Sequence, residues 1–254
     1  MGHSLRISIG VLGFLASTFV AWGHGGSASS DTAVEASRKP PVIIIGFVGG
    51  FISHDNLVHG GVQLAARLRK DYPSGVYVKV FENRRGEDAH GEILQLLDTN
   101  HDGKLSDEEK QNARIIIYGH SWGGSETVTL ARMLQRTGIP VLLTIQVDSV
   151  AKFGEDDSLI PPNVAQAVNF YQPNGIIHGR PQIRAADPSR TQIIGNYRFD
   201  YRSNPVRCVG YPWLATAFEY SHIEIECDPD VLNRVESLIR SKLPAEIKAS
   251  AGAQ

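Results

Sequence analysis

Ser121 stands in the run Gly119-His120-Ser121-Trp122-Gly123-Gly124, directly after the apolar stretch Ile115-Ile116-Ile117. A Gly-x-Ser-x-Gly pentapeptide between a strand-forming run and a helix-forming one (126–135) is the context of a nucleophile elbow. The sharp turn lifts the serine hydroxyl clear of the sheet. A Cβ at 119 or 123 would collide with the neighbouring strand or helix, and Ser121 itself must take a strained backbone conformation. The turn also sets Ser121 at a helix N-terminus, where outward N–H groups favour negative charge. A serine hydroxyl is a weak nucleophile at neutral pH, so it needs a general base, and the base needs an acid to orient it.

Residues of both types follow in the required order. The apolar run Val141 to Val147 ends in Asp148, and catalytic groups of parallel sheets gather at the carboxyl ends of strands. Asp148 is therefore the expected acid. His222 comes late in the chain, on an expected loop before a final amphipathic helix at 230–243, and is the expected base. Of the nine histidines, His54, His59, His90 and His178 fall at the wrong points in the chain for that role. The Gly-rich stretch Phe47-Val48-Gly49-Gly50 follows an early apolar strand. Its backbone, through the N–H of Phe47 or Val48, is expected to join the Trp122 N–H in binding a developing oxyanion.

A second chemistry lies between the strand at 76–81 and the serine strand. Asp98-Thr99-Asn100-His101-Asp102-Gly103-Lys104-Leu105-Ser106-Asp107-Glu108-Glu109 matches the twelve-residue EF-hand loop. Asp98, Asn100 and Asp102 supply oxygens at positions 1, 3 and 5, and Lys104 offers its carbonyl at 7. Ser106 stands at 9, and Glu109 is the bidentate ligand at 12. A single such loop reads as a structural Ca2+ site that fixes the entry of the serine strand, within an insertion spanning 92–112. Sensor proteins carry these loops in pairs.

The elements that must position these groups read as alternating strand and helix. Val42-Ile43-Ile44-Ile45 is a run of the kind buried on both faces of a parallel sheet, a helical spacing follows at 61–70, and another strand at 76–81. Strand, helix, strand implies right-handed crossovers and a mostly parallel α/β sheet flanked by helices. Further strands are expected at 164–172 and, at an edge, within 191–202.

The chain has 254 residues and a net charge of -2, enough for one sizeable core and without the basic surface that nucleic acid would require. Residues 1–23, with Arg6 followed by a short apolar run, read as a secretory signal peptide, and 24–39 as a flexible lead-in. The apolar run is short for a membrane span, so no span is expected to remain after cleavage. The mature protein would be secreted or periplasmic. In such a compartment the two cysteines, Cys208 and Cys227, are expected to pair and to pin the segment that carries His222.

Taken together, Gly119 to Gly124, the Asp148 strand end and the late Ser221-His222 pair resemble the α/β-hydrolases of the lipase and esterase type over 40–244. The resemblance implies a single α/β-hydrolase domain at 40–254. It also implies cleavage of a small-molecule or lipid ester through an acyl-enzyme, with Ser121, His222 and Asp148 as nucleophile, base and acid. Most members carry the acid one strand later, which leaves Asp187 and Asp156 as alternatives, and the EF-hand-like insertion is unusual for the family. An amidase or thioesterase would use the same triad. A non-enzymatic calcium-binding interaction protein on the same scaffold would need the loop and not the serine.

Overall fold

Apolar, β-branched runs alternate with helical spacings from residue 42 onward, and the chain folds accordingly. The computed structural model describes residues 40–213 and 220–251. The expected signal peptide and lead-in at 1–39 lie outside them. In order, the elements are β1 (Val42–Val48), α1 (Gly60–Asp71), β2 (Val76–Glu82), α2 (Gly86–Leu97), α3 (Asp107–Gln111), β3 (Ile115–His120), α4 (Trp122–Arg136) and β4 (Val141–Val147). They continue with β5 (Leu159–Ile160), β6 (Val164–Tyr171), β7 (Arg184–Ala185), β8 (Gln192–Arg198), α5 (Tyr220–Cys227), α6 (Pro229–Ser241) and α7 (Ala245–Ala251).

Six strands form one sheet in the order β2-β1-β3-β4-β6-β8, every pair parallel. This is the α/β class expected from the sequence. Parallel neighbours cannot be joined by tight hairpins, and the crossovers from β1 to β4 carry helices α1 to α4, while those from β4 to β6 and β6 to β8 run through loops and the short strands β5 and β7. Period-two alternation then divides the strands. Ile43, Ile45, Ile115 and Ile117 pack under α2 and α4 with Ile93, Leu97, Leu130 and Leu134. Ile44, Ile116, Leu143 and Ile145 face the other way, against Leu64, Leu68 of α1 and Val231, Val235, Ile239 of α6. Burial on both faces explains why β1 and β3 are continuous apolar runs.

Three boundaries differ from the sequence reading. The insertion helix α2 begins at Gly86, six residues before 92, because Glu87 and Asp88 favour the positive end of a helix and Ala89 and Ile93 give it a buried face. The polar loops on either side of β6 pair with each other through β5 and β7, a small separate sheet. The segment carrying His222 is the helix α5 and not a loop.

Within the EF-hand-like loop, the backbone N–H groups of Asp102 and Gly103 donate to the Asp98 carboxylate at 3.2 and 2.9 Å. The Lys104 N–H donates to Asp102 at 2.8 Å. Gly103 takes φ +78°, the sharp turn expected at loop position 6. Glu109 closes the loop. It forms a capping box with Ser106 at the start of α3, and it accepts the N–H and hydroxyl of Thr99, both at 2.8 Å. These bonds tie the two ends of the loop together just ahead of β3.

The Ser106 N–H foremost, then the Thr99 hydroxyl and N–H, hold the Glu109 carboxyl down to about 2 from 4.5. A folded value below the unfolded one means stability that is complete above pH 4.5 and lost as pH falls toward 2. Urea unfolding in chelator across that window should therefore show a steeper loss for the wild type than for Glu109→Gln. Parallel pH dependences would contradict the closure.

Candidate active site

The ladder between β3 and β4 delivers two of the expected groups together. His120 pairs in register with Val147, so Ser121 and Asp148 are the first residues beyond the paired ends of adjacent strands. The Ser121 N–H donates to the Val147 carbonyl at 3.0 Å, and the Val150 N–H donates back to the Ser121 carbonyl at 3.2 Å. Both residues leave their strands with positive φ, +58° at Ser121 and +44° at Asp148. For residues with a Cβ this is a strained state that only a well-determined surrounding holds. At Ser121 the surrounding is a set of glycines. A Cβ on Gly119 would run into the Gly123 carbonyl, and one on Gly123 into the Phe47 carbonyl of β1. One on Gly124 would lie 2.7 Å from Ser149 Cβ.

Ser121 is the N-cap of α4, and Trp122 is its first residue. The N–H groups of a helix's first residues have no acceptor within the helix and point outward. Of the other expected oxyanion donors, Phe47 and Val48 belong to β1 itself, which runs two residues further than a loop at 47 would require. The backbone that lies against the serine is Gly49, where a Cβ would stand 2.7 Å from Ser121 Cβ. Phe51, on the same turn, meets Trp122 edge to face at 5.9 Å.

Asp148 is fully buried. A buried carboxylate needs donors for its lone pairs. One oxygen accepts the backbone N–H groups of Gly179 at 2.7 Å and Gln172 at 3.1 Å. The other accepts the Gln172 side-chain amide at 2.8 Å and lies 2.7 Å from His222 Nδ1. Those donors come from the end of β6 and the loop after it, where a Cβ on Gly179 would strike Asp148. The alternative acids are engaged elsewhere. Asp156 binds Ser158 and Asp187 binds Ser189, each within its own turn.

His222 is buried on α5, and its ring lies on the ring of His120 with centroids 4.5 Å apart. The bond to Asp148 fixes the tautomer. Nδ1 carries the proton donated to the carboxylate, and Nε2 of the neutral ring is left unprotonated. α5 has no amphipathic pattern because residues 221–226 are all buried, wedged between the sheet end and α6. It is tied down by the expected disulfide, Cys208–Cys227, with Cα atoms 5.8 Å apart. Among the described residues, no group of three or more His, Cys, Asp or Glu side chains converges as a ready metal cage. No described helix is long and apolar enough to cross a membrane.

Sequence reasoning passed over Gln172, Gly179 and Gly49. Each acts through the backbone or a single amide, with no motif to announce it. Gly49→Ala tests the packing against the serine. It should lower kcat/KM for an ester by about a hundredfold, the scale of a small misplacement of a reacting group, with the far-UV CD spectrum unchanged. Activity like that of the wild type would show that this contact does not set the position of Ser121.

No protein-family model and no curated protein matches the chain significantly. Among solved structures it is similar to human thioesterase 2, at 10% identity over 79% of this chain and 94% of that one, with a TM-score of 0.41. It is also similar to an acetyl xylan esterase, at 10% identity over 80% of this chain and 99% of that one, TM-score 0.38. Against an arylesterase the identity is 12%, over 45% of this chain and 38% of that one, TM-score 0.29. The chain thus spans well under half of the arylesterase. Likenesses at this level carry no weight for the site, which stands on its own geometry.

Proposed function

We propose that this chain is a serine hydrolase that cleaves carboxylic esters through an acyl-enzyme. The observation that carries the reading is the buried bond of 2.7 Å between His222 Nδ1 and Asp148, formed beside a serine held in a strained elbow. In the reaction, Ser121 attacks the ester carbonyl while His222 Nε2 takes its proton, and Asp148 stabilises the imidazolium. The proton then passes to the departing alcohol oxygen. Water repeats the sequence on the acyl-enzyme, releasing the carboxylic acid and restoring Ser121. The Trp122 N–H and an N–H from the end of β1 or the turn that begins at Gly49 would face the oxyanion, each donor worth about 3 kcal/mol. The exposed Phe51 against Trp122 offers apolar contact to a small-molecule or lipid ester.

The loop at 98–109 is read as a structural Ca2+ site. Its donor set of Asp98, Asn100, Asp102, the Lys104 carbonyl, Ser106 and Glu109 is all oxygen, as a hard cation requires, and Glu109 stays anionic at neutral pH. When bound, the ion would supply only cohesion ahead of β3. The disulfide supports export to an oxidising compartment, secreted or periplasmic.

The test is hydrolysis of p-nitrophenyl acetate and butyrate, with the melting temperature followed in calcium and in chelator. Ser121→Ala should abolish turnover and keep the wild-type melt, and Asp148→Asn should lower kcat by about 10⁴-fold. Calcium should raise the melting temperature of the wild type and not that of Asp98→Asn. Ester turnover that survives Ser121→Ala would overturn the hydrolase reading, and a melt indifferent to calcium would overturn the metal site.

A further inference from the structure

Near His222 lies a second buried carboxylate that the triad does not use. Glu226, one turn further along α5, is 4% exposed. Both its oxygens lie near His59 Nδ1, at 3.0 and 3.1 Å, and one accepts the Tyr211 hydroxyl at 3.2 Å. The His59 and Tyr211 rings meet edge to face at 5.0 Å. The same carboxylate faces His120 Nδ1 at 3.6 Å. His120 in turn donates from Nε2 to the backbone carbonyl of His222 at 3.0 Å, and its ring packs against the His222 ring at a tilt of 35°, centroids 4.5 Å apart. An ion buried this deeply is expensive unless it is paired and hydrogen-bonded, and His59 and Tyr211 supply those partners. Here the chain of contacts runs from Glu226 through the elbow's own histidine to the backbone and ring of the base.

We infer that Glu226 and His120 are positioning residues for His222: His120 clamps the main chain of the base against the elbow through its Nε2–H, and the Glu226 carboxylate, one helical turn from His222 on α5, supplies a second negative charge near the imidazolium. The inference rests on the triad reading. Burial alone would raise the Glu226 carboxyl, but His120 and His59 hold it below the usual carboxylate range, so it is charged at neutral pH. Burial holds His120 down to about 4, so at neutral pH the ring carries one proton, on the Nε2 that donates to His222, its Nδ1 makes no hydrogen bond, and it lies beside an imidazolium without repelling it. The groups facing Glu226 are His59 from the β1–α1 segment, His120 from β3, Tyr211 from the segment before α5, and His222 on its own helix. α6 presents only Val231, Leu232 and Val235 to this cavity.

The sign of the effect follows. A nearby anion favours the imidazolium, so removing it lowers the pKa of the base. Glu226→Gln should move the acidic limb of the kcat/KM profile to lower pH and cut kcat by roughly tenfold, with KM unchanged, the scale of one buried hydrogen bond. His120→Gln, which keeps an amide donor for the His222 carbonyl, should retain more activity than His120→Ala. If Glu226→Gln does not fold, Tyr211→Phe removes one bond to the same carboxylate and should shift the limb in the same direction by less. A lowered melting temperature with an unmoved acidic limb would reduce Glu226 to a structural role and overturn the inference. Wild-type protein without Ser121-dependent ester turnover would instead overturn the triad reading beneath it.

Discussion

The site depends on how closely the ends of β1 and β3 can approach one another at Ser121. The serine holds φ +58° and ψ −128°, a conformation that costs on the order of 1–3 kcal/mol. It persists because the surroundings leave no alternative. Gly119 and Gly123 let the first turn of α4 lie directly against β1 and the strand it leaves, Gly124 lets it lie against Ser149 beyond β4, and Gly49 lets the β1 turn lie against the serine. Hydrogen bonds to Val147 and Val150 fasten the elbow to the end of β4. Ser121 and Asp148 are thereby set on one rigid edge, and only His222 must be brought from far along the chain.

Bringing the base in is a problem of buried charge. Asp148, His222, His120 and Glu226 are all withdrawn from water, and withdrawn polar groups must find partners. Asp148 receives three donors from the β6 end and the loop beyond it, besides His222. Glu226 is met by His59 and Tyr211. α5 itself has little reason to be a helix by pattern. The disulfide at Cys227, the Asp228 cap of α6 and the bond from the Tyr201 hydroxyl to Asp228 hold it where its histidine is needed.

What the sequence made legible was what is local. Ile115 to Gly124 announces strand, turn and glycine packing within ten residues, and Val141 to Asp148 announces a buried strand ending in a carboxylate. The parallel sheet follows from such runs, and the cysteine pair from compartment and count. What stayed hidden depends on contacts between distant segments. Glu224 and Glu226 carry no signal of burial in the sequence and prove buried, because their partners lie at 206 and at 59 and 211. Gln172 closes an expected strand and Gly179 sits in a Gly- and Pro-rich loop, and nothing in either marks a partner of Asp148 until the fold brings them there. Phe47 and Val48 were expected in the turn, but the strand pairs through Val48, and the turn against the serine begins at Gly49.

The central claim is that the strained serine is an activated nucleophile and not a relic of the fold. The most direct measurement is mass spectrometry of the intact and digested protein after exposure to a fluorophosphonate probe. The account predicts one adduct, on the peptide containing Ser121, lost in His222→Ala although that variant keeps Ser121. An unmodified Ser121 in the folded wild type, or labelling that survives His222→Ala at the wild-type rate, would contradict it.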